Sequence, residues 1–411
     1  MSSRKAETRR RDEVLEKLLT KHPDASIKEL AELSGIPKAS VGRWRQRRAS
    51  KKPAMVEAPE DERDILNRKI EGLENENKEL TDRLREDNQI GQLWRRLNHQ
   101  SAKAPKWLVP KRKSRNQAIV SAVLADAHYD EKVNPSEIEN LNAYNRKIAE
   151  LRTEKFFSST VELARDYVAN VGINGLVLKL MGDMVSGNIH EELTETNEAY
   201  ILPSILYWRD RLVAGIDMLA GHYGRVHVAG VVGNHGRQTR KPKSKGRVET
   251  NFDWLIYALL ADHYADCPEV TVQVPAGADL DLAIYGTRYR LTHGDQFRGG
   301  SGIAGALSPM MIGDSRKRKR ANQANNPYDF LVMGHWHQYF DFKGIIAAPS
   351  LKGYDEYAYL SNFEFEQPGG CFWLTDSNKG RTIRAALHVR HPDEDWTDIT
   401  TTEPSWMDKA A

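Results

Sequence analysis

From Ala118 onward, the chain alternates short, apolar, β-branched runs with longer helical stretches. Apolar runs of this length, bounded by turn residues, predict strands, and their alternation with helices predicts an α/β domain. DLAIYGTRYRLTHGD has the pattern of a β-hairpin around Gly286, so we expect mixed sheets. The predicted strands lie in AIVSAVLADAH, GLVLKLMGD, VHVAGVVGNH, TVQVP, DLAIYG, TRYRLTHGD, DFLVMGHWH, GIIAAPS and CFWLTD.

The sequence before Ala118 has a different character, and 411 residues are enough for two or three domains. We predict a helix-turn-helix domain over residues 1–50, a linker over 51–60, a coiled-coil helix over 61–100, a basic linker over 101–117, the α/β domain over 118–390, and a tail over 391–411.

Composition indicates the cellular compartment in which the protein is expected. The two cysteines, Cys267 and Cys371, form no disulfide framework or zinc-ligand pattern and fit a reducing compartment. The N-terminus lacks the apolar core of a signal peptide, and no stretch approaches the roughly 20 apolar residues that span a bilayer. We therefore expect a cytoplasmic protein with no membrane partner.

The N-terminal segment carries the signals of three short helices. Ser26 and Glu29 form a capping-box pattern at the start of the second helix, after a first helix with apolar residues at helical spacing. Gly35 then supplies a turn, and Pro37 suits the first position of the third helix. This order predicts a helix-turn-helix whose third helix binds DNA. The predicted DNA contacts are Lys38, Ser40, Arg43, Arg45, Arg47 and Arg48.

The apolar residues of the third helix, Val41 and Trp44, are expected to face the small core of this unit. Short three-helix units also bind proteins, and arginine-rich helix surfaces are often only solvated. A protein-binding unit is therefore the alternative to DNA binding.

Residues 61–100 have the heptad pattern of a coiled coil. An Asn at an a position favours a parallel, two-stranded register, so we expect a homodimer through this segment. The alternative is a single amphipathic helix packed on its own domain, which Gly72 and the small number of heptads leave open. The d positions are Leu66, Leu73 and Leu80, and the a positions are Ile70, Asn77 and Leu84.

Five of the predicted strands end in side chains that can bind a metal ion. Strand exits present side chains from distant parts of a chain to one rim of an α/β sheet. Carboxylates mixed with imidazoles suit Mn²⁺, Fe²⁺ or Zn²⁺, and one bridging carboxylate can hold two ions about 4 Å apart. We therefore expect two bound divalent ions, and Mn²⁺ is the first candidate for their identity. The candidates are Asp126, His128, Asp183, Asn234, His235, His293, His335 and His337.

The motifs DxH, GDxxxG, GNH, HG and GHxH, in this order, resemble those of the calcineurin-like metallophosphoesterases. The resemblance covers roughly residues 118–380 and implies two mixed β-sheets packed face to face, helices outside, and a di-metal site on the rim. The segments GNIHEELTETNE and HGDQFRGGSGIAG are similar to phosphoesterases of phages and bacteria that are related to the nuclease subunit of recombination exonucleases.

The same resemblance implies a role for each candidate. His235 stays off the metals and donates a proton to the leaving group, while a hydroxide bridging the ions attacks phosphorus. The family commonly has Asp or Glu where this chain has Gly236, which leaves open what orients His235. Asp126, His128 and His337 are assigned to one ion, Asp183 to the bridge, and Asn234, His293 and His335 to the other ion.

Charge placement suggests the substrate, because the net charge of the whole chain is only +3. RQTRKPKSKGR directly follows GNH, and SRKRKR precedes the strand that leads to GHWH. We expect two cationic loops beside the rim, which favours a polyanion. Arg237 and His190 are candidate phosphate contacts, although both are equally consistent with loop residues that face water.

Together these patterns predict a DNA phosphodiesterase, either an exonuclease or an endonuclease. One alternative is a phosphatase or a cyclic-nucleotide phosphodiesterase, in which the cationic segments merely bind phosphate. Another is a DNA-binding regulator with a vestigial phosphoesterase domain. The complete set of candidate ligands argues against a regulator, because a domain no longer used for catalysis need not retain every ligand.

Overall fold

The chain divides into two units, Met1–Arg85 and Glu86–Ala411. The computed structural model describes residues 2–50, 67–81, 104–108, 117–298, 305 and 307–397.

The first unit contains the three predicted helices, α1 (Ser2–Lys21), α2 (Ile27–Ser34) and α3 (Lys38–Ala49). The capping box is present, since Glu29 N donates to Ser26 Oγ at 3.3 Å and Ser26 N donates to Glu29 Oε2 at 2.7 Å. The turn residue after α2 has a left-handed φ of 67°, as expected for a glycine. The buried core contains Leu15, Leu30, Ile36, Val41 and Trp44, so the two core residues predicted for α3 are confirmed.

Residues 67–81 are also helical and are labelled α4. Ile70, Leu73 and Leu80 are 48%, 62% and 50% exposed, respectively. These apolar side chains are therefore not buried against the described residues of the same chain. Two further heptad positions, Leu66 and Leu84, lie outside the described residues, as do most of the predicted linkers.

The second unit contains a six-stranded sheet with the order β11-β10-β1-β2-β3-β4. Strands β1 to β4 are parallel, whereas β10 runs antiparallel to β1 and β11 antiparallel to β10. The strands are β1 (Gln117–Leu124), β2 (Gly172–Leu180), β3 (Val226–Gly230), β4 (Val270–Gln273), β10 (Gly369–Asp376) and β11 (Gly380–His388).

The second sheet has five strands in the order β5-β6-β7-β9-β8. Strands β6, β7 and β9 are parallel, and the outer two are antiparallel to their neighbours. The predicted hairpin is present, with Tyr285 and Gly286 both at positive φ in its turn. The strands are β5 (Asp279–Ile284), β6 (Thr287–Thr292), β7 (Phe330–Met333), β8 (Phe340–Phe342) and β9 (Ile345–Ala347).

The two sheets pack face to face over a shared apolar core. Alternation along β1 explains the layers, because Ile119 and Val123 enter this core while Val120 and Leu124 enter a larger core beneath the helices. The predicted fold class, two mixed β-sheets with flanking helices, is confirmed. The helices of this unit are α5 (Arg146–Tyr167), α6 (Glu191–Thr196), α7 (Ile201–Tyr223), α8 (Phe252–His263), α9 (Leu307–Gln323) and α10 (Glu356–Leu360).

Two residues outside the predicted bounds of the α/β domain, 118–390, contact that domain. Within the segment predicted as a basic linker, Leu108 is buried in the core between the sheets, and its carbonyl oxygen accepts from Tyr285 N at 3.0 Å. Beyond residue 390, Glu394 forms an ion pair of 2.8 Å with the fully buried Arg152. Both segments have few apolar residues, but single residues anchor them to the domain.

No helix in the described ranges combines the length and the hydropathy needed to cross a bilayer.

Candidate metal centre

The candidate ligands lie where parallel strands end. Strands β1, β2 and β3 are neighbours in one sheet, and β6 and β7 are neighbours in the other. The loops that leave these strands are joined by backbone hydrogen bonds, such as Asp126 N to Gly182 O at 3.1 Å and Gly334 N to His293 O at 3.0 Å. Residues far apart in the sequence therefore converge on one rim, as predicted.

One group of donors comprises Asp126, His128 and His337, and one ligand atom of each lies within 4.8 Å of the others. The Nε2 atoms of the two histidines are 3.3 Å apart, and His337 Nε2 lies 3.5 Å from Asp126 Oδ1. The Asp126 carboxylate also accepts from the backbone N–H of His335 at 2.9 Å. That bond links the loop after β1 to the loop after β7.

A second group comprises Asp183, His293 and His335, again with donor atoms within 4.8 Å of one another. His293 Nε2 lies 2.9 Å from Asp183 Oδ2 and 3.2 Å from Asn234 Oδ1. The other ring nitrogen, Nδ1, lies 2.7 Å from the carbonyl oxygen of Met181 and donates to it. This bond fixes the ring so that Nε2 faces the cluster.

His235 lies beside both groups. Its ring centroid is 4.4 Å from that of His128, and its backbone N–H donates to Asp183 Oδ1 at 2.6 Å. His235 Nδ1 lies 2.9 Å from the carbonyl oxygen of Ser186. Its orientation therefore comes from a backbone carbonyl rather than from an acidic side chain next to it in the sequence.

The backbone of the site is strained. A positive φ is uncommon for residues other than glycine and costs free energy, and such strain concentrates at functional sites. The strain here falls on residues that the sequence motifs had already marked. The candidate ligands with positive φ are Asp126, His128, Asp183, His335 and His337, with values from 46° to 70°.

A buried polar network holds His128. Its Nδ1 lies 3.1 Å from Glu131 Oε2, and the other oxygen of that carboxylate accepts from Lys352 Nζ at 2.7 Å. Lys352 Nζ also donates to Asp355 Oδ2 at 2.5 Å. Carboxylates that contact the far nitrogen of a histidine fix its tautomer and orientation for metal binding. The network leaves His128 Nε2 directed at His337.

Asp253, at the start of α8, holds two of the metal-site loops together. Its Oδ2 accepts from the backbone N–H of Asp183 at 2.9 Å and of Gly233 at 2.8 Å, and its Oδ1 accepts from Met184 N at 3.0 Å. The loops after β2 and β3 thus share one buried carboxylate. This residue acts on the site through the backbone and does not contact the metal-facing side of the ligands.

The same contacts explain Gly236. A Cβ at this position would lie 2.4 Å from Asn251 Oδ1 and 3.1 Å from Asp253 Cγ. The space beyond Gly236 is therefore occupied by polar groups from the start of α8. A carboxylate is present at this place in the fold, but it comes from Asp253 instead of the residue after GNH.

Burial and neighbouring charges shift the pKa values of the histidines in the cluster. Burial lowers the pKa of His293, but the Asp183 carboxylate outweighs it and raises the pKa to about 10. Burial and the neighbouring His293 lower the pKa of His335 to about 4. Burial and Lys352 likewise lower the pKa of His128 to about 4. The carboxylates and neutral imidazoles suit a divalent ion, whose binding would displace the proton from His293.

The two predicted phosphate contacts, His190 and Arg237, differ in exposure and in their hydrogen bonds. His190 is exposed, and its ring centroid lies 5.9 Å from that of His235. Arg237 is half-buried, and its three guanidinium nitrogens donate to the carbonyl oxygens of its own loop, at residues 234, 239 and 240. The guanidinium therefore shapes the loop in addition to placing a positive charge beside it.

The expectation of two cationic loops is wrong for SRKRKR, which lies within α9. Three of its cations are paired: Lys317 and Arg320 contact Asp279, and Arg318 contacts Asp314. In RQTRKPKSKGR, by contrast, the lysines are exposed. The free positive charge near the rim is thus concentrated in residues 237–247.

In the N-terminal unit, the predicted DNA contacts lie on or beside the outer face of α3. Lys38 and Arg43 are exposed, whereas Ser40 and Arg45 are half-buried. Arg47 and Arg48 form ion pairs with Asp12 and Glu16 of α1, at 3.3 Å and 3.0 Å. Lys38, Arg43, Arg47 and Arg48 are thus all exposed, and of these four Lys38 and Arg43 have no ion-pair partner among the described residues.

Comparison with known proteins yields only distant structural likenesses. No protein-family model matches the chain, and no curated protein matches it. A predicted phosphoesterase from Streptococcus pneumoniae TIGR4 is 11% identical, over 67% of this chain and 93% of the other, with a TM-score of 0.27. Wild-type Vps29 from Entamoeba histolytica, complexed with Zn²⁺, is 13% identical over 66% of this chain and 99% of the other, with a TM-score of 0.27.

A dimetal phosphatase from Danio rerio is 10% identical over 66% of this chain and 99% of the other, with a TM-score of 0.30. Likenesses of this extent assign neither a family nor an activity to the chain.

Proposed function

We propose that the protein is a two-metal phosphodiesterase that hydrolyses DNA. The observation that carries the proposal is the convergence of two donor groups, Asp126 with His128 and His337, and Asp183 with His293 and His335, on one strained rim. Asn234 adds an amide oxygen to the second group. This donor set suits divalent transition-metal ions, with Mn²⁺ as the first expectation and Fe²⁺ or Zn²⁺ as alternatives.

Two divalent ions, when bound, neutralise phosphate oxygens and activate water for attack on phosphorus. The residues of the chain prepare the site for this reaction. Asp183 lies between the two groups, because its Oδ2 is 2.9 Å from His293 Nε2 and a donor atom of His128 lies within 4.8 Å of its carboxylate. Asp183 is therefore assigned to both ions.

His235 is assigned as the proton donor to the leaving group. Its Nδ1–H is directed to the carbonyl oxygen of Ser186, so the proton given to the leaving group must be a second one, carried on Nε2 of the imidazolium form. No acidic side chain is needed for this orientation.

A nucleic-acid substrate is favoured by where the cations lie. Residues 237–247 follow the GNH motif directly, and Lys38 and Arg43 of α3 are exposed in a unit with the helix order of a helix-turn-helix. The exposed apolar positions of α4 support a homodimer, in which two basic units would contact duplex DNA together.

The test is an assay with Mn²⁺ on linear duplex, single-stranded and supercoiled DNA, a phosphoprotein and a cyclic dinucleotide. Cutting of circles identifies an endonuclease, and loss only from ends identifies an exonuclease. Selective hydrolysis of the phosphoprotein or of the cyclic dinucleotide would overturn the nuclease proposal and favour the phosphatase or cyclic-nucleotide phosphodiesterase. Binding of DNA without hydrolysis of any substrate would favour a regulator.

Deleting residues 1–57 separates the two units in the same assay. We expect weaker, less salt-dependent binding of duplex DNA, because phosphate contacts of α3 are lost. Hydrolysis of a small phosphodiester should remain. Unchanged affinity and salt dependence would place all DNA binding outside the N-terminal unit.

A further inference from the structure

A small cleft, open to solvent, lies beside the metal-ligand loop. It is formed by the loop after β3 and the cationic segment that follows it. The side chains that matter for its chemistry are Asn234, Arg237, Thr239, Lys243, Arg247 and Asp295.

The cleft is cationic. Three positively charged side chains, Arg237, Lys243 and Arg247, line it together with one carboxylate, Asp295. Arg247 pairs with Asp295 at 2.6 Å, which leaves two cations with no carboxylate partner among the described residues. Arg247 Nε is also buried and makes no hydrogen bond to a described residue. The cleft therefore holds positive charge that no carboxylate of the described residues balances.

Hydrogen bonds and an ion pair hold the residues that line the cleft in place. Arg237 donates to three loop carbonyl oxygens at 2.8 to 2.9 Å, and Thr239 Oγ1 donates to Lys241 O at 2.8 Å. Arg247 is held by both oxygens of Asp295. These bonds fix the backbone of a segment that otherwise contains many mutually repelling cations.

Asn234 connects the cleft to the metal-ligand cluster. Its side-chain Oδ1 lies 3.2 Å from His293 Nε2, whereas its carbonyl oxygen accepts from Arg237 Nη1 at 2.9 Å. The same residue thus contributes to the cluster and to the cleft wall. A phosphate in the cleft would be a near neighbour of a phosphate at the metal site.

We propose that this cleft binds a second phosphate group of the substrate, next to the phosphodiester that is cleaved. Resting on the proposed function, this makes the substrate a polymer with consecutive phosphates, or an oligonucleotide with a terminal phosphate, rather than an isolated phosphodiester. Arginine and lysine donors favour a phosphate, because charge-assisted hydrogen bonds to phosphate are short and strong. An apolar group would leave these cations without a partner.

The test compares the thymidine dinucleotide with the same dinucleotide carrying an added 5′ or 3′ phosphate. Calorimetry on the metal-free full-length protein measures binding without relying on turnover. We expect one phosphorylated form to bind roughly tenfold tighter than the plain dinucleotide, a difference of about 1.4 kcal/mol, because its added phosphate accepts charge-assisted hydrogen bonds. Lys243→Ala should remove most of that difference, and Lys243→Arg should restore it.

Lys241→Ala is the matched control, because Lys241 is an exposed cation of the same segment that does not line the cleft. It should keep the wild-type ratio of affinities. Equal affinity of the wild-type protein for all three dinucleotides would overturn the cleft proposal, as would equal loss in Lys241→Ala and Lys243→Ala. Hydrolysis of bis-p-nitrophenyl phosphate, measured separately, tests the phosphodiesterase itself, so the two failures are distinguishable.

Discussion

The Nδ1 atom of His235 lies 2.9 Å from the carbonyl oxygen of Ser186. A backbone carbonyl can only accept, so the imidazole always carries a proton on Nδ1, and Nε2 is the nitrogen that gains and loses the second proton. The sequence left the orientation of this ring open because Gly236 follows it. The structure answers that question with a residue from the loop after β2.

His235→Asn should slow cleavage of dinucleotides, whose alkoxide leaving group needs a proton, by about 10²–10⁴-fold. Cleavage of bis-p-nitrophenyl phosphate should fall much less, because p-nitrophenolate departs without protonation. The measurement is kcat/KM for both substrates with Mn²⁺. His222→Asn, an exposed histidine near the end of α7, is the control. Equal losses on the two substrates would show that His235 is not the proton donor.

Asp253→Asn should weaken Mn²⁺ binding by about 10–100-fold, because the amide cannot accept all three backbone N–H groups that the carboxylate accepts. Titration calorimetry measures the affinity, and circular dichroism checks that the variant is folded. Asp266→Asn replaces an exposed carboxylate after α8 and should bind as wild type does. Unchanged affinity in Asp253→Asn would refute the role of Asp253 in positioning the two loops.

Lys179→Met should raise the free energy of unfolding at neutral pH. Burial, and next the charge of Arg381, hold the pKa of Lys179 well below its ordinary value. Its Nζ lies 4.5 Å from the Trp373 ring centroid and forms no hydrogen bond to a described residue. Between the lowered pKa of the folded state and the unfolded pKa of about 10.4, Lys179 is protonated in the unfolded chain and neutral in the folded chain.

Wild-type stability should therefore rise with pH in the window between the two pKa values, by up to about 1.4 kcal/mol per pH unit from this group. Lys179→Met should flatten that slope in urea titrations. Lys352→Met is the contrasting variant, because Lys352 is buried with two carboxylate partners, and its loss should destabilise the fold. An unaltered slope in Lys179→Met would mean that Lys179 stays charged in the folded protein.

The exposed apolar face of α4 predicts a dimer of chains of 46.7 kDa each. Leu73→Lys with Leu80→Lys should halve the mass seen by light scattering, since charges at d positions oppose coiled-coil packing. Glu71→Lys with Glu79→Lys adds the same lysines at other heptad positions and should leave the mass unchanged. A monomeric wild type, or a dimer that survives the leucine changes, would exclude this interface.

The cluster of candidate ligands could be predicted because each residue follows an apolar run and has a side chain suited to metal ions. The residues that position them gave no such signal. Asp253 follows Asn251, the N-cap of α8, and from sequence it resembles an ordinary acidic residue in a first helical turn. Lys352 is 221 residues from its partner Glu131, a pairing that no local pattern reveals.

Two strands were also missed, for different reasons. Strand β8 has three residues, too few for a periodic pattern, and β11 is an edge strand whose side chains are mostly half-buried or exposed. SRKRKR was expected in a loop because of its charge. It is helical because nothing in it breaks a helix, and Asp279 and Asp314 pair with three of its cations.

The most direct test of the two-metal phosphodiesterase is the Mn²⁺-dependent hydrolysis of bis-p-nitrophenyl phosphate by the wild type and by Asp183→Asn. Asp183 faces both donor groups, so replacing one of its oxygens should abolish turnover while the protein stays folded. Asp266→Asn should retain full activity. We expect turnover that requires Mn²⁺ in the wild type and is lost in Asp183→Asn; near-native turnover by a folded Asp183→Asn would contradict the metal assignment.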